Sequence, residues 1–194
     1  KSYLLGIEKG SDYSSERLIA LYKKREKYDK IESFYKNSGE KGSDTSFYEL
    51  AFYYKRENKP ELAEKYYKLS SDKGNSDAPN ALGDLYLEQK KTELAEKYYK
   101  IGSERENNEA SYSLGQLYES LKKPNLAEKY YLLAIEQGNK YAAHDLASFY
   151  ENQDNFESAE KYYLLAIKMN DTSAFDNLAI LYENWDKPEL AEKY

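Results

Sequence analysis

With 194 residues, no cysteine and a net charge of −6, the chain is sized for one ordinary domain or one segment of a longer array. It can hold no disulfide framework, thiolate metal site or cysteine nucleophile. No apolar run approaches the roughly 20 residues that span a bilayer, and no secretory leader opens the chain, so no membrane partner is expected. The lack of cysteine fits a reducing, cytoplasmic compartment, and the lack of an initiator Met gives the look of a cut piece.

Leu, Ile, Val and Phe make up about 19% of the chain, just under the roughly 20% below which disorder is a concern. Two features outweigh that. The net charge is small, and 23 tyrosines supply apolar area that the count omits. There is no Val and there are only seven Ile, which disfavours strands. The composition points to an all-α protein with a core of Leu, Ala and Tyr.

From the N-terminus, Lys1 to Gly10 resembles Lys129 to Gly138, the end of a helix. A first signature follows as Leu18-Ile19 with Tyr22. It recurs every 32 residues, as Leu50-Ala51 with Tyr54, Leu82-Gly83 with Tyr86, Leu114-Gly115 with Tyr118, Leu146-Ala147 with Tyr150 and Leu178-Ala179 with Tyr182. Leu and Tyr four apart share one helix face. A second signature alternates with the first. It is faint at Lys30–Tyr35, plain as Leu-Ala-Glu-Lys-Tyr-Tyr at 62–67, 94–99 and 126–131, and recurs at 158–163 and from Leu190. Ala95, Tyr98, Tyr99 and Gly102 form an amphipathic stripe, and Gly83 and Ala95 are small enough to let two helices approach.

The turn between signatures carries Lys-Pro at 59–60, 123–124 and 187–188, with Pro suited to a first helical turn, where Pro79 is tolerated too. After the second signature come Gly10, Gly42, Gly74 and Gly138, suited to a left-handed helix end. Asn170 can take that conformation, while at Glu106 the role falls to Asn107 or Asn108.

Each 32-residue unit is therefore helix A, turn, helix B, turn. Helix A is expected near 12–24, 44–57, 76–89, 108–121, 140–153 and 172–185, and helix B near 27–38, 60–72, 92–105, 124–137, 156–169 and 188–194. The whole chain, 1–194, reads as a single array of about six repeats, cut within helix B at both ends. Natural arrays end in polar caps. None is visible here, so flanking repeats, caps or disordered tails are expected.

The spacing Leu114-Gly115, Tyr118, Ala127, Tyr131, Ala134 resembles the tetratricopeptide superfamily along essentially the whole chain. The stretch Ala134-Ile-Glu-Gln-Gly138-Asn-Lys-Tyr-Ala142, with Leu146-Ala147 and Tyr150, is similar to a junction of its Sel1-like branch, as are Ala127 and Tyr130-Tyr131. The 32-residue unit is shorter than the usual 34, and the Gly-rich insert of Sel1 units is absent. The resemblance implies a right-handed superhelical solenoid of antiparallel helix pairs that gathers proteins into complexes. Its concave groove, lined by helix A, would hold a protein or peptide ligand.

In the family frame the groove rungs fall at three positions per unit. The first row is Glu16, Tyr48, Asn80, Tyr112, His144 and Asp176. The second is Ala20, Phe52, Asp84, Gln116, Ser148 and Ile180, and the third is Lys23, Lys55, Leu87, Glu119, Glu151 and Glu183. The rungs vary while the packing positions repeat. The family's carboxylate clamp of Lys and Asn is not matched in the first row, so chaperone-tail binding is not expected. Residues 1–59 carry net +3 and residues 60–194 net −9, so the acidic C-terminal part of the groove should prefer a basic segment, with Tyr48, Phe52 and Tyr112 as apolar anchors.

His144, the only histidine, is expected to line the groove and not to serve as a base or metal ligand. Glu64, Glu96, Glu128 and Glu160, each next to Lys, read as a solvated, salt-bridged face. The paired tyrosines of helix B read as packing, not as a base-stacking platform. No catalytic set, nucleotide loop, cofactor motif or metal spacing is present. The chain is expected not to be an enzyme, and its acidic bulk argues against nucleic acid. Head-to-tail self-association is the structural alternative.

Overall fold

In a computed structural model, residues 28–43 and 45–193 are described, together with residues 20, 22 and 24. Eleven α-helices and no strand occur among them. They are α1 (Tyr28–Glu40), α2 (Ser46–Arg56), α3 (Pro60–Asp72), α4 (Ala78–Glu88), α5 (Thr92–Glu104), α6 (Asn108–Ser120), α7 (Pro124–Glu136), α8 (Ala142–Glu151), α9 (Phe156–Lys168), α10 (Ser173–Asn184) and α11 (Pro188–Ala191). The expected helices appear at their expected places. The segment that resembles a helix end at residues 1–10, and most of the first expected helix A, lie outside the described residues.

The chain divides into two compact units, one ending at Asn75 and the other starting at Ser76. In the first, α1 packs on α2 and α2 on α3. In the second, each helix from α4 to α11 packs on its successor, and α4 also meets α6. The second unit is thus a stack of antiparallel pairs in which α4, α6, α8 and α10 are A helices and α5, α7, α9 and α11 are B helices.

The two signatures form the core of each pair. The helix A leucines Leu50, Leu82, Leu114, Leu146 and Leu178 are fully buried, as are Ala63, Ala95, Ala127 and Ala159 of helix B. Tyr67, Tyr99, Tyr131 and Tyr163 are at most 2% exposed. Burying one such side chain is worth about 1.5–3 kcal/mol. Gly83 provides space for a ring: a Cβ there would lie 2.3 Å from the Tyr99 ring, and one at Gly115 2.6 Å from that of Tyr131. Helix A therefore supplies a flat seat on which the second tyrosine of helix B rests.

Both turns end their helices by a left-handed residue. After helix B, Gly42, Gly74, Gly138 and Asn170 take positive φ, as the sequence leads one to expect. Glu106 also does, at +61°, which corrects the expectation that Asn107 or Asn108 would replace it. Register gives the reason. Asn107 N–H must reach back to the Gly102 carbonyl at 3.0 Å, as Asn75 does to Ser70 and Asn139 to Ala134. Asn107 must also cap α6, where its side chain accepts from Ala110 N at φ −76°. A second series, unexpected from sequence, lies in the A-to-B turn. Asn58, Lys90, Lys122, Asp154 and Asp186 have φ of 54 to 58°, and the residue after each donates its N–H to the carbonyl of the signature tyrosine.

Left-handed conformation costs a side-chain-bearing residue roughly 1–2 kcal/mol. Glu106→Gly should therefore raise unfolding stability by about 1 kcal/mol, and Gly138→Ala should lower it by a similar amount. Urea denaturation of the two variants checks the pair, and a loss of stability on Glu106→Gly would contradict this account of the turn.

Candidate functional site

The rungs of the second unit lie on the side formed by its A helices, and hydrogen bonds run across that side from one A helix to the next. Tyr112 donates its hydroxyl to Asp145 Oδ2 at 2.7 Å, Ser113 Oγ donates to Asn80 Oδ1 at 3.2 Å, and Asn184 Nδ2 reaches Glu151 Oε1 at 3.4 Å. Gln116 Nε2 donates both to the Tyr112 hydroxyl at 2.8 Å and to Asp145 at 3.2 Å. Apart from the bond between Gln116 and Tyr112 within α6, these links join residues on neighbouring A helices about one repeat apart. Tyr112, expected as an apolar anchor, is half-buried and its hydroxyl is tethered.

Several acidic rungs are committed to the core below them. The Tyr99 hydroxyl donates to Asp84 at 2.7 Å, that of Tyr131 to Glu119 at 2.6 Å, and that of Tyr163 to Glu151 at 2.8 Å. Ser148 Oγ sits 3.0 Å from the same Tyr163 hydroxyl. Burial first, and the adjoining carboxylate second, push the Tyr99 and Tyr131 hydroxyls far above the ordinary phenol range. They therefore act as permanent donors. A ring whose hydroxyl end must be satisfied explains why acidic or hydroxyl groups stand at these rungs.

His144 is also committed, which refines the expectation that it merely lines the groove. Its Nδ1 lies 2.6 Å from Asp171 Oδ2 and 3.2 Å from Ser173 Oγ, and its Nε2 lies 2.7 Å from Asn177 Nδ2. Asp171 and Ser173 share one ring nitrogen, and an amide holds the other. A serine–histidine–aspartate relay needs the serine and the acid on opposite nitrogens, so this cluster cannot work as one. Asp171 closes the α9–α10 turn by accepting from Ser173 N at 3.0 Å and Ser173 Oγ at 2.6 Å. Burial pushes its carboxyl up, but the bonds from Ser173 and His144 outweigh this and hold it below the ordinary Asp value.

The exposed rungs of this unit are therefore few. Gln116, Leu87, Asp176, Ile180 and Glu183 are exposed, with Ile180 at 50%. Asp176, Ile180 and Glu183 form one stripe along α10, and neither carboxylate has a side-chain partner among the described residues. In the first unit Phe52 is 45% exposed, while Tyr48 and Lys55 are half-buried, with the Tyr48 ring edge-on to Tyr67 at 5.4 Å. Glu16 and Lys23 lie outside the described residues. Sequence reasoning missed Asp145, Asp171 and Asn177 as partners of rungs. The one available signal was their position about one repeat beyond Tyr112 and His144.

The glutamates of helix B, expected as a solvated, salt-bridged face, do pair with lysine at Glu64 and Glu96 but are less solvated than expected. Glu96, Glu128 and Glu160 are half-buried, and each accepts the hydroxyl of the signature tyrosine of the next helix A. The pairs are Tyr118 to Glu96 at 2.8 Å, Tyr150 to Glu128 at 2.6 Å and Tyr182 to Glu160 at 2.5 Å. A solvated face was expected because the alternating Glu-Lys pattern conceals a partner 22 residues away. The expectation that the paired tyrosines serve packing agrees with the structure. Tyr86 stacks on Tyr98, Tyr118 on Tyr130 and Tyr150 on Tyr162, with ring centroids 5.4 to 5.6 Å apart.

Helix pairs recurring every 32 residues, seated by a small residue under a tyrosine and presenting variable rungs on the A side, define an α-helical repeat protein of the tetratricopeptide type. The tetratricopeptide-repeat family model matches residues 78–100, 109–137 and 141–173. Among solved structures the chain is similar to PilF of Pseudomonas aeruginosa, with 20% identity over 93% of this chain and 87% of that one and a TM-score of 0.68. It is similar to a Sel1 repeat protein from Oxalobacter formigenes, with 20% identity, coverage of 89% and 77% and a TM-score of 0.67. It also resembles YrrB, described as a TPR protein with an unusual peptide-binding site, with 20% identity, coverage of 81% and 86% and a TM-score of 0.58. At these identities the likeness is one of fold. No curated protein matches the chain in sequence.

Asn occupies the Asp171 position at 107 and 139, so Asp171→Asn keeps the turn and removes only the charge. A depressed carboxyl pKa contributes stability that is present above the ordinary Asp range and is lost as pH falls through the folded value. Asp171→Asn should therefore cost about 1 kcal/mol at neutral pH, the net worth of one hydrogen bond, and nothing at strongly acidic pH. Thermal unfolding across that range checks it; a deficit that does not change with pH would contradict the assignment.

Proposed function

We propose that the chain is a protein-interaction scaffold that holds a basic peptide segment against the A-helix side of its second unit. The superfamily generally serves protein interaction, and YrrB, of the same fold, is described by a peptide-binding site. The observation that carries the basic-ligand reading is the α10 stripe. Asp176 and Glu183 flank exposed Ile180 at helical spacing and have no side-chain partner among the described residues, whereas Asp84, Glu119 and Glu151 are tied to tyrosine hydroxyls. Two uncommitted carboxylates about 10 Å apart along the helix suit two cationic side chains, with an aliphatic group between them. Charge there would set orientation and on-rate, and Ile180 would add apolar contact.

Binding without catalysis is the mechanism inferred. The His144 cluster is wired for turn closure, and among the described residues no group of His, Asp or Glu is arranged to hold a metal ion. The acidic second unit makes a poor nucleic-acid surface.

Affinity capture from source lysate tests the proposal, with the chain as bait and Asp176→Asn/Glu183→Gln as control. A protein held by the parent should be lost from the double variant, and its binding should weaken steeply with salt. Equal capture by both, with the same salt dependence, would remove the site from α10. Recovery of only the bait's own full-length protein would favour self-assembly.

A further inference from the structure

The repeats serve as controls for one another on the B-helix side, and one position there changes character along the chain. In α1, α3 and α5 a lysine pairs with the glutamate one turn earlier. These are Lys36 with Glu32 at 2.5 Å, Lys68 with Glu64 at 2.7 Å and Lys100 with Glu96 at 2.5 Å. In α7 and α9 the same position holds Leu132 and Leu164. Glu128 and Glu160 keep their tyrosine hydroxyls but have no cation among the described residues.

The surface follows the substitution. On α5 an open hollow is lined by Glu93, Glu96, Lys97, Lys100, Ile101 and Glu104. The matching hollow on α7, about 460 Å³, has Leu132 and Leu133 where Lys100 and Ile101 stand. Leu164 is 37% exposed and Leu132 is half-buried. Lys129 and Lys161, the nearest cations by sequence, lie over the Tyr130 and Tyr162 rings at 5.2 and 4.7 Å. The result is apolar surface on two successive B helices, each beside a half-buried carboxylate that no cation neutralises.

We propose that the B-helix side of α7 and α9 is a second docking surface, distinct from the A-helix side, and that its occupant is a partner helix presenting Lys or Arg beside Leu-like side chains. The chain shows the geometry that the partner would complete. Glu96 takes a tyrosine hydroxyl and a lysine ammonium together, and Glu128 and Glu160 offer the same site with the ammonium left out. Leu132 and Leu164 supply the apolar contact that an internal lysine would otherwise cover. Cation and apolar group on one face is the pattern of an amphipathic basic helix.

The test uses the full chain and a fluorescent helical peptide of alternating lysine and leucine turns, with a lysine–alanine peptide of equal charge as control. Leu132→Lys/Leu164→Lys restores the internal pattern and adds i,i+4 pairs, so it should fold at least as stably as the parent while weakening binding of the lysine–leucine peptide at least tenfold. Lys100→Leu extends the apolar surface to α5 and should strengthen binding several-fold. Asp176→Asn/Glu183→Gln, on the other side, should leave it unchanged. Equal affinity of parent and Leu132→Lys/Leu164→Lys, or equal binding of both peptides to the parent, would overturn the proposal. So would a concentration-dependent rise in mass of the parent, abolished in Leu132→Lys/Leu164→Lys, which would make a second copy the occupant.

Discussion

Every helix pair here buries one side of a tyrosine and must then satisfy its hydroxyl, and that constraint organises the second unit. A ring as large as that of Tyr131 contributes much of the apolar burial in a chain with few aliphatic residues, but its oxygen cannot be left dry without a penalty of about 1–3 kcal/mol. The chain answers in two directions. The helix B tyrosines Tyr99, Tyr131 and Tyr163 send their hydroxyls to acids on the A side of their own pair. The helix A tyrosines Tyr118, Tyr150 and Tyr182 send theirs back to glutamates of the preceding helix B. The second set stitches one repeat to the next, adding directional bonds on the B side to those that join neighbouring A helices. Burial first, and the Glu128 carboxylate second, push the Tyr150 hydroxyl far above the ordinary phenol range, so it stays a donor.

The same constraint divides acidic side chains by task. Glu119, Glu151 and Asp84 stand at positions that the superfamily frame assigns to ligand, yet a hydroxyl from the core occupies each. Asp176 and Glu183 stand in the same frame without such a bond. On the B side, Glu96 serves a tyrosine and a lysine at once, and Lys100 and then Tyr118 hold it below the ordinary carboxylate range. Glu128 and Glu160 serve a tyrosine alone. Positions that look alike in sequence thus differ in what they have left to offer a partner.

The fold was legible because its signals are local and repeated. Leu and Tyr at i and i+4, Ala at the helix crossing, Pro at the first helical turn and Gly after helix B each act within one turn of chain, and a 32-residue period multiplies them. What escaped was non-local or depended on register. The left-handed Lys90 and Lys122 carry no compositional mark, since lysine has no preference for that conformation and only the turn's hydrogen bonds impose it. The pairing of Tyr112 with Asp145 and of His144 with Asp171 needs the offset between neighbouring A helices, about one repeat, which no single unit reveals. Glu128 looked solvated because its lysine neighbour was visible in sequence and Tyr150 was not.

The tyrosine–glutamate stitch is tested most directly by a double-mutant cycle on Tyr150→Phe and Glu128→Gln, the pair with no lysine to confuse it, read by urea denaturation of the two single variants and the double. The account predicts a coupling of about 1 kcal/mol or more, with the double variant little worse than the poorer single. Additive losses, with coupling near zero, would contradict it and leave ring burial and the bonds between A helices to hold one repeat on the next.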